Sequence, residues 1–139
     1  MKLNPDCIRD ILLYIESHQR VYFDSANHCY SYSFITERYL DRDLPYDICE
    51  IIHSLLLMKD CGYIEIDIKE SLYEIRQVSV RRITYSGYDF LESIRPQSVW
   101  EDTKQTLSAV GSFSLELILD VAKNLLSGLV SSVVQGTLP

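Results

Sequence analysis

Residues 58–68 read MKDCGYIEIDI, and the periodicity of the chain changes inside them. Before Gly62, apolar residues recur at helical spacing: Ile48, Ile51, Ile52, Leu55, Leu56 and Met58 make one wide face. After it, Ile64, Ile66 and Ile68 share one side and Glu65 and Asp67 the other, the period of two that marks a half-buried strand. No residues are spare between the two patterns. Gly62 is therefore expected to stop the helix in a left-handed conformation, which glycine adopts without the penalty a Cβ brings.

A second strand-like run, YEIRQVSVRRIT, starts at Tyr73, and KESL joins it to the first. Strict alternation sets Ile75, Gln77, Ser79 and Arg81 against Arg76, Val78, Val80 and Arg82, and the two runs are expected to pair as an antiparallel hairpin. Upstream, Asn4-Pro5 is a helix start, with Asn as cap, Pro in the first turn and Asp6 near the positive end of the dipole. Ile8, Ile11, Leu12 and Ile15 then form one face of a helix running to Gln19. Between 20 and 44, RVYF suits a short strand, DSANH a turn, and CYSYSFITERYL alternates Tyr30, Tyr32 and Phe34 along one side. That last segment reads as a strand, with a short helix over 34–40 as the alternative.

Pro45 is expected in the first turn of the helix that ends at Gly62. Beyond the hairpin, Thr84 or Ser86 caps a helix bearing Tyr85, Tyr88, Phe90, Leu91 and Ile94, which Pro96 ends. A further helix over 97–109 holds Val99, Trp100, Thr103 and Leu107. Gly111 breaks it, and Ser112 or Ser114 starts the last one. This order predicts an α+β fold: a winged-helix-like module over 1–95, with the hairpin as its wing, followed by a C-terminal helical extension over 96–139 packed on it.

Four segments, IRDILLYIE (8–16), IIHSLLLMKDCGYIE (51–65), RRITYSGYDFLESIRPQSVW (81–100) and SFSLELILDVAKNLL (112–126), resemble in order a family of small bacterial and phage proteins, domain-of-unknown-function family 2513. The most specific block is Thr-(aromatic)-x-Gly-x-x-Phe-Leu, here Thr84, Tyr85, Gly87, Phe90 and Leu91. The resemblance implies a winged-helix-like fold and a bacterial or prophage setting. It implies no activity, because the family has none assigned, and it transfers no functional residue.

The 139 residues carry a net charge of −7, so the surface as a whole repels phosphate polyanions. The helix before the wing is a poor reader of DNA: its outward candidates Tyr46, Asp47, Glu50, His53, Ser54, Lys59 and Asp60 set carboxylates against one lysine. The wing is better supplied. Lys69, Arg76, Arg81 and Arg82, with Arg95 near, are the candidate nucleic-acid contacts, sufficient for weak, salt-sensitive binding. The competing reading is that Glu65, Asp67, Glu70 and Glu74 neutralise them across the hairpin. The aromatic series Tyr22, Phe23, Tyr30, Tyr32 and Phe34 has no Lys or Arg between 21 and 37, which favours core or interface packing over base stacking.

No phosphate loop, paired-carboxylate motif or nucleophile elbow occurs, so no enzyme and no cofactor are expected. His53 is expected to be a packed histidine. Cys7, Cys29, Cys49 and Cys61 form no CxxC pair and are expected to be buried, reduced thiols; a zinc site from His28, Cys29 and His53 lacks ligand spacing. The N-terminus has no signal-peptide core, which points to a cytoplasmic protein.

The most apolar stretch, 113–134, is interrupted by Glu116, Asp120, Lys123 and Asn124, against a membrane span. Leu115, Ile118, Leu119, Ala122, Leu126, Leu129, Val130 and Val133 form a stripe along it. Leu117, Val121 and Leu125 add a flank, so a homodimer interface centred on Leu117, Val121, Leu125 and Leu129 is expected. Packing of stripe and flank inside the monomer is the alternative. The sequence thus supports a non-catalytic interaction module acting on an unidentified protein partner, with a DNA-binding regulator using the wing arginines as runner-up.

Overall fold

The computed structural model describes residues 1–136. Among them are six helices and two small antiparallel sheets. The order is α1 (Pro5–His18), β1 (Val21–Asp24), β2 (Cys29–Tyr32), β3 (Ile35–Thr36), α2 (Glu37–Asp43), α3 (Ile48–Asp60), β4 (Ile64–Ser71) and β5 (Glu74–Ile83). Then come α4 (Tyr85–Ile94), α5 (Gln97–Val110) and α6 (Leu115–Val134). The chain divides into two compact units, Met1–Tyr88 and a second from Asp89 onward.

In the first unit, Asn4 caps α1 by accepting the Cys7 N–H, and Ile8, Ile11, Leu12 and Ile15 are all buried. Pro45 does not open α3. Asp47 does, accepting the Cys49 N–H at 2.8 Å, while Pro45 and Tyr46 lie in the preceding turn. The Tyr46 hydroxyl, donating to Asp10 at 2.6 Å, fastens that turn to α1. Ile51, Leu55 and Met58 are fully buried on the inner face of α3.

Gly62 has φ +76, and the helix closes around it: the Gly62 N–H donates to the Lys59 carbonyl and the Tyr63 N–H to that of Met58. Thr84 locks the same corner from the far end of the hairpin. Its N–H donates to the Tyr63 carbonyl at 3.0 Å, its hydroxyl donates to the Gly62 carbonyl, and its oxygen accepts the Gly87 N–H at 3.1 Å. A Cβ on Gly87 would lie 2.0 Å from the Tyr63 carbonyl oxygen. The Thr-x-x-Gly spacing is therefore a steric requirement of this junction.

The 20–44 segment is not one strand. β1 and β2 form a separate hairpin with Phe23 opposite Tyr30 and Val21 opposite Tyr32, and its side chains are exposed rather than core. Each large apolar side chain of this two-stranded sheet that faces solvent, from Val21 to Tyr32, is at least 45% exposed. The short helix does form, as α2, preceded by the two residues of β3. The main sheet has the order β3-β5-β4.

Strict alternation fails in β5 at two places. Glu65 faces Arg82 and Ile66 faces Val80, leaving Arg81 as an extra residue; Lys69 faces Gln77 and Glu70 faces Ile75, leaving Arg76 as another. Each bulge lets two successive residues stand opposite one partner. The apolar positions Ile75, Val78, Val80 and Ile83 are accordingly spaced by three, two and three, and the last three of them are buried. Arg76 and Arg82 thus leave the face of Val78 and Val80, where alternation had set them.

In the second unit, Gly111 at φ +80 stops α5, and Ser114 caps α6 by accepting the Leu117 N–H at 3.1 Å. Val99, Trp100, Thr103 and Leu107 of α5 are buried, as are Leu115, Ile118 and Ala122 of α6. Lys123 reaches Asp89 of α4 at 2.8 Å.

Candidate functional site

The two bulges gather the cations of the β4–β5 hairpin on the polar side of the β3-β5-β4 sheet, where most of them meet carboxylates. Arg82 donates to both oxygens of Glu65, at 2.8 and 3.0 Å. Arg81 lies 3.7 Å from Asp67, and Arg76 lies 3.2 Å from Glu74. Arg95 is held by Glu92 on α4. Lys69 forms no ion pair among the described residues.

α3 presents little for a base edge. Glu50 is half-buried and accepts from the Asn4 amide, His53 is half-buried, and Lys59 and Asp60 are exposed side by side at the C-terminal end. Among the described residues the acidic Asp47 cap forms no ion pair.

A cleft of about 970 Å³ lies between α2 and the outer sheet face. Phe34, Arg38, Tyr39 and Arg42 line one side, and Lys69, Arg76 and Gln77 are on the other. The carboxylates in its wall are engaged. Glu37 is buried and accepts the Val78 N–H at 3.2 Å, and Asp67 faces Arg81. Arg42 chelates Asp43 at 2.7 and 2.9 Å while lying 5.2 Å from the Tyr39 ring centre. That guanidinium, followed by the Tyr14 hydroxyl, holds the Asp43 carboxyl far below the usual carboxylate range.

Sequence reasoning missed this cleft because it sought cations next to the aromatics along the chain. They arrive by folding, from α2 and from the wing. The one local signal was Arg38-Tyr39-x-x-Arg42, which sets two guanidiniums one helical turn apart behind Phe34.

The thiols differ from expectation. Only Cys7 is buried; Cys29 on β2, Cys49 in the first turn of α3 and Cys61 at its C-terminal cap are exposed. Among the described residues no cluster of three His, Cys, Asp or Glu is placed to hold a metal, and His28 and Cys29 are not brought to His53.

On α6, Leu117 and Leu129 are exposed, Val121 and Leu125 are half-buried, and Val130, Val133 and Val134 are open to solvent. The apolar stripe is thus inward only in its first half. By length and composition this helix would also suffice to cross a membrane.

The sequence profile of a family described as "Hypothetical protein (DUF2513)" matches residues 2–114. The chain belongs to this family. The DUF2513 match spans the first unit from residue 2, including the cleft and the β4–β5 hairpin, and stops just before α6 begins. An "Uncharacterized protein" of Haemophilus influenzae is 29% identical over 133 residues, covering 96% of this chain and 98% of that protein. That likeness therefore extends into α6. No solved structure matches the chain.

Proposed function

We propose that this DUF2513 member is a non-catalytic interaction module of a bacterial or prophage cytoplasm that works through protein contacts, including a second copy of itself. Its first unit is read as a winged helix. The support is topological: helix, short strand, two helices and a hairpin, with the short strand paired to the second wing strand in the order β3-β5-β4. In that reading α3 occupies the position of a DNA-reading helix.

The observation that carries the protein reading is the neutralisation of the wing. Arg76, Arg81 and Arg82 each face a carboxylate of the same hairpin, and α3 adds no cationic row. A duplex approaching this face would meet paired charges, whose release to phosphates gains little. Meanwhile the exposed hairpin aromatics and the outer half of α6 offer apolar area of the kind that partner proteins cover.

The runner-up, a DNA-binding regulator using the wing, is favoured by Lys69 and by the collection of all four wing cations on one sheet face. Anisotropy titration of random duplex DNA separates the two. The protein reading expects weak binding that is lost by about 150 mM salt. Tight, salt-resistant, sequence-selective binding would replace it with the runner-up.

A further inference from the structure

We infer that the cleft between α2 and the polar sheet face binds nucleotide units, with a base against Phe34 and phosphate against Arg38 and Lys69. The site is independent of the protein contacts proposed above. Its charge is the first observation. In a chain of net charge −7, four cations line one hollow. Arg42 and Arg76 have their own carboxylates, whereas Arg38 and Lys69 have none among the described residues. Of the two carboxylates in the wall, Asp67 is paired with Arg81, while Glu37 accepts the neutral Val78 amide and so offsets one of those two cations. The unmatched charge in the cleft is positive.

Its aromatic wall is the second. Phe34 is 71% exposed in the same lining as those cations, and Tyr39, with Arg42 over its ring, is a second aromatic of that lining. Exposing a phenylalanine costs the protein burial that a core position would have supplied. A base stacked on Phe34 covers that ring while its phosphate reaches the free cations, the pairing by which proteins hold unpaired nucleotides.

The third observation separates a nucleotide from an acidic peptide. β3 pairs only with Ser79 and Val80 of β5, so the strand edge beyond it borders the cleft. Glu37 already occupies the Val78 amide on that edge, and Arg76 is bulged. An extended peptide therefore cannot add there as a further strand, and would be left with charge contacts alone.

Anisotropy at about 50 mM salt, with a labelled short oligothymidylate and an abasic phosphodiester chain of equal length, tests the assignment. The oligothymidylate should bind roughly tenfold more tightly than the abasic chain, and Phe34→Ala should remove that advantage. Phe34→Leu, which keeps apolar bulk, should do the same if the alanine variant melts early. Arg38→Glu with Lys69→Glu should abolish binding of both chains. Thymidine monophosphate as competitor tells a free nucleotide from a strand: full displacement assigns the site to the former, none to the latter, and either upholds the nucleotide assignment. Absence of binding, equal binding of the two chains, or tighter binding of a glutamate-rich peptide that displaces the oligonucleotide would each overturn it.

Discussion

The Glu65 carboxylate receives two hydrogen bonds from Arg82, at 2.8 and 3.0 Å, across the base of the β4–β5 hairpin. The pair is exposed, so its worth to stability is small, but its effect on DNA binding is direct. Glu65→Gln with Asp67→Asn should strengthen the residual binding to random duplex and steepen its salt dependence, since each freed arginine can displace about one counterion. Arg81→Glu with Arg82→Glu should abolish that binding, and Asp47→Ala should not weaken it. A double neutralisation without effect would mean that the sheet face never meets the duplex.

Gly62 and Gly87 differ in what they forbid. Around Gly62 a Cβ meets nothing within 4 Å, so only its φ of +76 resists substitution. Gly62→Val should cost about 1–2 kcal/mol, and Gly62→Asn less. Gly87 has ordinary φ but a Cβ there would strike the Tyr63 carbonyl at 2.0 Å and Ile83 at 2.7 Å. Gly87→Ala should therefore cost about 1–3 kcal/mol or more, as overpacking does. Denaturant midpoints decide; equal, negligible losses would misplace the junction.

Two tyrosine–carboxylate bonds should shape the pH range of stability. Tyr14 donates to Asp43 at 2.6 Å and stacks on His18, and Tyr46 donates to Asp10. Asp43 is held charged, so the stability it confers is present above the ordinary carboxylate pKa of about 4 and is lost as pH falls through its depressed value. Burial, then the neighbouring carboxylate, raises both tyrosines. Their contribution is complete below the ordinary tyrosine pKa of about 10 and declines as pH rises beyond it. Asp43→Asn should flatten the acid limb of a melting-temperature profile, and Tyr46→Phe the alkaline limb; unchanged limbs would assign the titration elsewhere.

Thiol labelling should split the cysteines. Cys7 is fully buried, and burial pushes its pKa up to about 11, so its thiolate is scarce as well as shielded. A maleimide should modify Cys29, Cys49 and Cys61 in the native protein and reach Cys7 only on unfolding. Rapid native labelling of Cys7 would mean that α1 opens locally.

Local rules carried most of the fold. The Asn4 cap, the glycine stop at Gly62 and the Thr84–Gly87 junction are short-range signals, and each lies where its spacing places it. Two things were hidden. The bulges at Arg76 and Arg81 depend on which β4 residue each β5 residue meets, which no single-strand periodicity contains. The cleft has both Phe34 and Lys69 in its lining, two residues brought to one hollow only after the β4–β5 hairpin folds back beside α2. The aromatic hairpin misled for a related reason: apolar alternation marks a strand but does not say whether another layer covers it.

α6 supplies the last prediction. Leu115, Ile118 and Ala122 are buried in its first half, while Leu129, Val130, Val133 and Val134 stay open along the second. No charged residue occurs after Lys123 in the helix, so nothing there favours water over a partner. Three or four such side chains, each contributing roughly 1.5–3 kcal/mol when covered, suffice to hold two copies together. The closed arrangement is a two-fold dimer in which the outer half of α6 meets its mate. A helix of this length also spans a bilayer core, roughly 30 Å, which makes vesicles the necessary control. Sedimentation equilibrium at tens of micromolar should show a dimer. Leu129→Lys, at an exposed position, should dissociate it without lowering the melting temperature of the monomer, and Leu125→Lys should act alike with some loss of stability. A monomer that floats with phosphatidylcholine vesicles would give the helix to the membrane, and a monomer that does not would leave its outer half without a partner and end the dimer proposal.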